Sequence, residues 1–261
     1  MRIFGVIGGS GLYDIPGLEI TDSVKMGTPY GDPSDIYRIG SFSGKEIVFL
    51  PRHGSMHHIP PHKINYRANI WGFRELGVKK IISIGASGGI RKGMKPGTIA
   101  VLDQIIDLTD NRQSTFYDDN EVVHVDFTEP FCPALREHIL RSAKQAGIPI
   151  KKKGTYVCTK GPRLETAAEI RAYTMMGADV VGMTGMPEAV LARELEICFA
   201  GVSVITNYAA GIAGEKLTSK EVVEKMHEMT DKVKTILAAC FSLDLPASSC
   251  SCGDALKDAK M

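Results

Sequence analysis

Short runs of apolar and β-branched residues alternate along the chain with longer segments whose apolar positions recur at helical spacing. The short runs predict strands at residues 3–7, 46–50, 80–84, 98–102, 153–158, 178–182 and 197–205. The longer segments predict helices at residues 66–76, 135–146, 166–175, 187–195 and 218–241. This alternation is typical of an α/β domain. We therefore expect one domain over residues 1–245, followed by a C-terminal tail over residues 246–261.

Several of the predicted strands end in a polar or glycine-rich turn. The residues at these ends are Ser10, Arg52, His53, Ala86, Ser87, Thr184 and Asn207. In open α/β sheets, ligands bind at the carboxyl ends of the strands. We therefore expect these residues to converge on a ligand site, although the pattern alone does not identify the ligand.

Composition and charge narrow the class of ligand. The 261 residues are 44% hydrophobic and 23% charged, which predicts a folded protein with an ample core. The formal net charge of +1 gives no global field for nucleic acid or an anionic membrane, so any bound anion must be held locally. No apolar run approaches the roughly 20 residues that cross a bilayer. The N-terminal segment has neither a long apolar core nor a small-residue cleavage site, and we expect a cytoplasmic protein.

The glycine-rich loop after the first predicted strand reads Gly8-Gly9-Ser10-Gly11. The dinucleotide pattern G-x-G-x-x-G fails here, because Asp14 stands where its last glycine is required, and the Walker pattern is absent. The backbone N–H groups of the loop and the Ser10 hydroxyl can still cradle a single phosphate. A plain turn remains the simpler interpretation of the loop taken alone.

A basic pair, Arg52-His53, follows the second predicted strand, with His57, His58 and His62 close behind. Arginine offers a planar fork that matches phosphate, and the histidine is expected to add a second donor. A metal site is less favoured, because the histidines have no cysteine or carboxylate ligands beside them. A surface loop is the alternative.

The six cysteines fall into two groups. Four are scattered among apolar neighbours and are predicted to be buried thiols: Cys132, Cys158, Cys198 and Cys240. Cys250 and Cys252 form a Cys-Ser-Cys pair in the tail, which by itself supplies too few ligands for zinc. A strained local disulfide, a redox-active pair and a free, exposed tail all remain open for this pair.

Eight segments together carry a resemblance to a known family. They read IGGSGL, TPYGDPSD, PRHG, PHKINYRANIWGF, GASGGIRKGMKPGTIAVLDQIID, TEPFCP, KGPRLETAAEIR and VVGMTGMPEAVLARE. In this order and spacing, over nearly its whole length, the chain resembles the purine nucleoside phosphorylase and methylthioadenosine phosphorylase family. The resemblance implies a single-domain phosphorylase fold of the α/β class, with a central mixed β-sheet flanked by helices.

The resemblance also implies a reaction, in which phosphate attacks the ribose C1′ and the purine leaves through an oxocarbenium-like state. Catalysis of this kind is mostly positional and electrostatic. By resemblance, phosphate is held by Ser10, Arg52, His53, Ala86 (through its backbone) and Thr184. The nucleoside is surrounded by Met183, Leu164, Val181, Gly182 and Ala209. His53 and Asn207 take the catalytic roles, no metal or organic cofactor is implied, and phosphate is a co-substrate.

Two positions separate the branches of this family. The methylthioadenosine branch carries a serine after Gly-Pro-Arg and an Asp-Tyr-Asp after the late strand, where this chain has Glu165 and Asn207. A carboxylate at Glu165 accepts from the N1–H of a 6-oxopurine and repels the bare N1 of adenine. Asn207 can donate to N7 or O6 of the leaving base. A helix N-terminal carboxylate and a turn residue are the structural alternatives.

The residues expected near the 5′ end of the nucleoside do not select a single substrate. Ser219 stands where the methylthio branch has an apolar residue and the inosine branch a histidine, so methylthioinosine stays open as a substrate beside inosine and guanosine. His57, and His124 from a neighbouring subunit, also match family positions near the 5′ end. The resemblance therefore implies a homotrimer or a homohexamer.

Three other functions are compatible with the same residues. One is a 5′-methylthioadenosine phosphorylase, and another is a nucleosidase that uses water instead of phosphate. The third is a nucleoside- or phosphate-binding protein on the same fold. The complete set of Ser10, Arg52, His53 and Thr184 argues against the last two.

Overall fold

The computed structural model describes residues 4–12, 15, 17–42, 44–119, 121–213, 218–244 and 250–261. The strands within these ranges are β1 Phe4–Gly8, β2 Glu19–Val24, β3 Tyr37–Phe42, β4 Lys45–Pro51, β5 Lys80–Gly89, β6 Ile99–Val101, β7 Gln104–Leu108, β8 Thr155–Thr159, β9 Val180–Gly182 and β10 Cys198–Tyr208. The helices are α1 Tyr66–Glu75, α2 Pro133–Gln145, α3 Ala167–Met175, α4 Gly185–Glu194 and α5 Ser219–Ser242. The prediction of an α/β domain with a central mixed sheet is confirmed.

The sheet is built around β5, which pairs in parallel with β1 along one edge and with β10 along the other. The order β2-β3-β4-β1-β5-β9-β8-β7 runs across the sheet, and β10 and β6 branch from β5. The register of β1 with β5 ends at Gly8 and Ile84, whereas β10 follows β5 as far as Gly89. Because β9 pairs with β5 only at Gly88 and Gly89, residues 85–87 leave one edge of β5 open toward the loop that follows β1.

Helices cover both faces of this sheet. Successive residues of a strand point to opposite faces, and Val6 of β1 packs with α2 and α5 while Ile7 packs with α1 and α4. The longest helix, α5, begins at a capping box in which Thr218 and Glu221 exchange side-chain and backbone hydrogen bonds. Burial of each large aliphatic or aromatic side chain contributes about 1.5–3 kcal/mol, so the two helical layers hold the strand ends in place. Among the described helices, none has the length and apolar content to span a membrane.

The glycine-rich segment after residue 84 differs from its prediction. The sequence predicts a turn there, but β5 continues through Gly89 and pairs with β10 along its whole length. A Cβ at Gly89 would lie 1.8 Å from the carbonyl oxygen of Met94, so the absence of side chains permits close packing within the sheet rather than a turn. Strands β2, β3 and β7 are absent from the sequence prediction, and β2 and β7 are largely exposed.

The described part of the C-terminal segment, residues 250–261, packs against the rest of the chain. Cys252 and Ala259 are buried, and Lys260 forms an antiparallel bridge with Val123. The backbone N–H of Met261 donates to the carbonyl of Val122. A free, exposed tail is therefore wrong for this segment.

Candidate active site

A cavity of about 550 Å³ opens at the carboxyl ends of β1, β4, β5, β9 and β10. The structure brings all the predicted site residues except His124 to its wall. They are Ser10, Arg52, His53, His57, Ala86, Leu164, Glu165, Val181, Gly182, Met183, Thr184, Asn207, Ala209 and Ser219. Each of these residues lies near the end of a strand, in the segment that follows a strand or at the start of a helix, which is why residues so far apart in sequence meet in one place.

Arg52 forms the floor of the cavity and is almost completely buried, with 1% of its surface exposed. Its Nε donates to Glu188 Oε1 at 2.5 Å, and its Nη2 donates to Glu188 Oε2 at 3.1 Å and to Ser83 Oγ at 2.6 Å. Its Nη1 donates to the carbonyl of Ile84 at 3.2 Å. A Cβ at Gly9 would lie 2.7 Å from Nη1, so the glycine lets the guanidinium reach the cavity floor.

These contacts correct the expected role of Arg52. Of the five N–H groups of a guanidinium, four are directed to partners among the described residues, and one on Nη1 is left for an anion. The predicted fork is thus turned toward Glu188 rather than toward phosphate. Arg52 offers an anion its charge and a single donor, in an orientation that Glu188 and Ser83 fix.

His53 also differs from its prediction. Its Nδ1 lies 2.8 Å from the carbonyl oxygen of Ile59, and because a carbonyl accepts hydrogen bonds, Nδ1 carries the proton. Burial, with a further contribution from the Arg52 charge, lowers the pKa of His53 to about 4. The ring is therefore neutral at pH 7, and its Nε2 presents a lone pair. His53 is an acceptor, not the second donor that the sequence predicts, and it suits an oxygen that carries a proton.

The remaining polar groups beside Arg52 are small. Thr184 is the N-cap residue of α4, and its side chain makes no hydrogen bond to that helix. The Ser87 hydroxyl is buried and has no partner among the described residues. Gly85 and Ala86 lie on the open edge of β5, next to Gly9. Hydroxyl and backbone groups at a strand end form a concave donor site that suits a small anion.

Glu165 and Asn207 line the cavity further along β5. Glu165 Oε1 accepts from the Thr159 hydroxyl at 2.8 Å, and burial raises the pKa of this carboxyl. Asn207 Nδ2 donates to the carbonyl of Tyr208 at 2.8 Å, and Asn207 Oδ1 accepts from the Thr206 hydroxyl at 2.8 Å. The Asn207 amide is held in place and keeps one N–H on Nδ2 for a ligand. Glu165 directly precedes the N-cap residue of α3, Thr166, and the capping carboxylate of that helix is Glu169.

The distance between Arg52 and Asn207 matches an elongated ligand. Arg52 contacts β5 at Ile84, whereas Asn207 is paired with β5 at Gly88. Four residues of strand span about 13 Å. Apolar side chains line the space around Glu165 and Asn207, among them Val181, Ala209 and the 42% exposed Leu164.

Ser87, expected at a strand end, does line the cavity, whereas three other polar residues of the site are absent from the sequence prediction: Ser83, Glu188 and Thr206. Glu188 is fully buried in α4 and forms the ion pair with Arg52. A carboxylate inside the mostly apolar segment 185–194 was the available signal, because a buried arginine at a strand end needs an opposite charge.

His124 lies away from the cavity of its own chain. It is exposed, and its backbone N–H donates to the carbonyl of Ala259 in the C-terminal segment. Its placement near the 5′ end of a nucleoside in a neighbouring subunit stays a prediction.

The mixed β-sheet is flanked by helices, and the ends of its strands combine a site for a small anion with an apolar pocket that offers hydrogen-bonding groups. These features define a class of protein that brings an anion to a flat organic ligand. The chain belongs to the phosphorylase superfamily, whose sequence profile matches residues 3–242. It is 51% identical to the 6-oxopurine nucleoside phosphorylase of Pyrococcus furiosus, with 99% of each chain aligned. It is 46% identical to the S-methyl-5′-thioadenosine phosphorylase of Thermofilum pendens, over 98% of this chain and 97% of the relative.

The fold comparison agrees with the sequence comparison. The structure of methylthioadenosine phosphorylase from Schistosoma mansoni in complex with adenine superposes with a TM-score of 0.89 at 31% identity, covering 92% of this chain and 91% of that one. The family resemblance of the eight sequence segments is thus confirmed.

Proposed function

We propose that this protein is a purine nucleoside phosphorylase that prefers 6-oxopurine nucleosides. An oxygen of phosphate bonds to C1′ of the ribose, the bond between C1′ and N9 breaks, its electron pair leaves with the base, and the base takes up the proton that the phosphate carried. The products are a free purine and ribose 1-phosphate, or its 5-methylthio analogue. The observation that carries this proposal is the pair of Glu165 and Asn207, lining the same cavity as Arg52 and His53.

The phosphate is proposed to bind as a monoprotonated dianion. Its hydroxyl donates to Nε2 of His53, which is the acceptor on that ring. Its other oxygens accept from Nη1 of Arg52 and from the hydroxyls of Ser10 and Thr184, with Ala86 contributing through its backbone. Fixed donors around an anion cost little reorganisation when positive charge develops on the ribose, which is how such a site lowers the barrier.

The base is proposed to bind with its six-membered ring toward Glu165. The carboxylate accepts from N1–H of hypoxanthine or guanine, and from the guanine amine as well. The remaining N–H of Asn207 donates to N7 or O6 and stabilises the negative charge that the leaving purine gains. Adenine presents a bare N1 to the carboxylate. Buried polar groups left unpaired by the wrong base can discriminate by about 10⁴-fold.

The second candidate is cleavage of 5′-methylthio nucleosides, as the names of two relatives suggest. It is favoured by the apolar side of the cavity near the start of α5, where Val222 and the 46% exposed Val223 lie beside Ser219. A methylthio group would bury apolar surface against these valines, and a hydroxyl would bond to the serine. Methylthioinosine would contact the two valines through its methylthio group and Glu165 through its base.

Further features of the enzyme belong to the same proposal. We expect a homotrimer or homohexamer in which His124 of one subunit reaches the ribose of its neighbour. The reaction needs no metal or organic cofactor, because its electrophile is the ribose itself and its nucleophile is phosphate. We expect no binding to nucleic acid or membranes, and a cytoplasmic location, which the six free thiols favour.

A substrate panel tests the function. Inosine, guanosine, adenosine, methylthioinosine and methylthioadenosine are incubated with and without phosphate, and free base and ribose 1-phosphate are measured. We expect phosphate-dependent cleavage of the 6-oxopurine nucleosides. Equal cleavage without phosphate would indicate a hydrolase, and tight nucleoside binding without turnover would indicate a binding protein. Equal kcat/KM for methylthioadenosine and inosine would refute the 6-oxopurine preference alone.

A further inference from the structure

A cluster of four cysteines lies far from the cavity. The sulfurs of Cys132, Cys198, Cys250 and Cys252 all lie within 4.8 Å of one another. Cys198 is the first residue of β10, whereas Asn207 lies near its other end. The nine intervening residue steps span about 30 Å. The cluster is therefore a separate site, and the mechanism proposed above does not use it.

Three segments of the chain build this cluster. Cys132 is the N-cap residue of α2, and its backbone N–H donates to the carbonyl of Phe199, which fixes the start of α2 against β10. Cys250 and Cys252 flank the start of the 3-10 helix Ser251–Asp254. Three of the four cysteines are buried, and Cys250 is half-buried. The sequence alone could not reveal this meeting of four thiols.

The spacing of the sulfurs suits a single metal ion. The structure has all four cysteines as free thiols, and Sγ of Cys198 lies 3.3 Å from Sγ of Cys250. In a tetrahedral zinc site, Zn–S bonds of about 2.3 Å put neighbouring sulfurs about 3.8 Å apart. The observed separations bracket that value, so ligation requires shifts of a few tenths of an ångström to about 1 Å.

The surroundings of Cys132 favour a thiolate at this residue of the cluster. The backbone N–H of Leu135 donates to Sγ of Cys132 at 3.4 Å, and the N-terminus of α2 carries a partial positive charge. Because the four sulfurs lie so close together, thiolates among them would repel one another, and a divalent ion between them balances that charge.

We propose that Cys132, Cys198, Cys250 and Cys252 bind one thiophilic divalent metal ion, with zinc the ion that four sulfur ligands select. Each thiol that ligates loses its proton to solvent, so binding releases protons and is favoured as the pH rises. Four sulfur ligands with no open position make a structural site rather than a catalytic one. The ion joins the C-terminal segment to the start of α2 and the start of β10. This segment also pairs with residues 122–124, so the ion stabilises that surface too.

The first test is stoichiometry on the full-length protein purified under reducing conditions. First-row metals are quantified by plasma mass spectrometry, and the intact mass is measured under denaturing conditions. We expect one zinc per chain and an intact mass with every cysteine reduced. An intact mass lower by four hydrogens, without metal, would show two disulfides instead and overturn the proposal. Fully reduced protein that takes up no zinc after dialysis against zinc would overturn it as well.

Variants locate the ion. Cys252→Ser is expected to lose the bound zinc, whereas Cys240→Ala, which removes a buried thiol outside the cluster, keeps one equivalent. Cobalt substitution gives an independent readout, because four thiolates around Co²⁺ produce intense absorption bands that the Cys252→Ser protein would lack. Equal zinc content in both variants would overturn the assignment. If Cys252→Ser does not fold, the cobalt spectrum of the unaltered protein decides, and a spectrum without sulfur ligation overturns the proposal.

Stability gives the third test. An ion that binds the folded state alone raises the unfolding temperature, by roughly 5–10 °C for a chain of this size at a hundredfold excess over the dissociation constant. A zinc chelator added with reductant should reverse this shift in the unaltered protein and leave Cys252→Ser unchanged. Identical unfolding temperatures of the zinc-loaded and chelator-treated protein would contradict a structural ion.

Discussion

The two groups of residues in the cavity are built in different ways. At the end proposed to bind phosphate, Arg52 is buried, paired with Glu188 and bonded to Ser83, so the protein itself satisfies most of its donors. At the end proposed to bind the base, Glu165 and Asn207 each have a local partner and are half-buried, and the side chain of Leu164 is exposed. One end is part of the core, and the other lies between the core and the surface. Changes at the first end should damage stability and catalysis together, whereas changes at the second end should alter activity and selectivity with little effect on stability.

The largest effect is expected at Glu188. Glu188→Ala leaves the Arg52 charge buried without a carboxylate, and removing one partner of a buried pair costs about 3–5 kcal/mol of unfolding free energy. The guanidinium also loses its orientation, so kcat/KM for phosphate should fall by at least about 100-fold. Denaturant unfolding and phosphate kinetics measure both. The matched control is Glu169→Ala, which breaks the more exposed pair with Arg163 and a capping hydrogen bond of α3, and which should lower the free energy of unfolding much less. Equal losses in the two variants would contradict the difference between the two ends.

The second effect concerns the base. Asn207→Asp removes an amide donor and puts a negative charge beside a leaving purine, so kcat/KM for inosine should fall by about 10- to 100-fold. Adenosine should lose less, because a carboxylate can accept from its 6-amino group, and the ratio between the substrates should narrow. The double variant with Glu165→Gln should not show additive effects, since both residues contact one base. Stability within about 1 kcal/mol of the unaltered protein is part of the prediction. A loss that is equal for every nucleoside would refute it.

A third prediction, with a smaller expected effect, tests the contribution of the neighbouring subunit. His124→Ala should raise KM for the nucleoside several-fold and leave KM for phosphate unchanged, because His124 is expected at the 5′ end. His227→Ala, which alters an exposed histidine on α5, is the control. Mass measurement in solution should give a trimer or a hexamer. A fully active monomer would exclude the shared site.

The smallest effect is a shift in pH dependence. Burial raises the pKa of Glu165, so as the pH falls this carboxylate takes up a proton earlier than an exposed glutamate does. The burial that raises the pKa also makes the ionised Glu165 carboxylate unfavourable for folding. This cost in the free energy of unfolding is lost as the pH falls through the raised pKa. The acid limb of kcat/KM for inosine should therefore lie above the ordinary pKa of glutamate and disappear in Glu165→Gln. His53 should add no limb near neutrality, because its pKa is lowered to about 4. An unchanged limb in Glu165→Gln would assign it to another group.

The difference between the two ends of the cavity also separates the features that the sequence could predict from those that it could not. The order of strands and helices and the convergence of Ser10, Arg52 and Thr184 follow from local patterns and from the family segments. The donor assignment of His53 was wrong because it depends on the carbonyl of Ile59, which a loop brings back to the ring. The orientation of Arg52 likewise depends on Glu188, which is distant in sequence.

The same reason explains the other differences. The local sequence predicts a turn at the glycines after residue 84, because it carries no sign of the long-range pairing of β5 with β10. It likewise shows only the two tail cysteines together, although the fold supplies Cys132 and Cys198 as neighbours. Local patterns thus predicted which residues form the site, and tertiary contacts decided what each of them offers.

The Arg52–Glu188 pair has a consequence for the direction of the reaction. Among the described residues lining the cavity, Arg52 is the permanent cation, and its charge is balanced by Glu188 while His53 is neutral. Phosphate and a sugar 1-phosphate are both dianions, so a strongly cationic site would retain the product as firmly as it captures the reactant. A site close to electroneutral holds both loosely. Such an enzyme can work near equilibrium and make nucleosides as well as cleave them, with the concentrations of base and sugar phosphate deciding which.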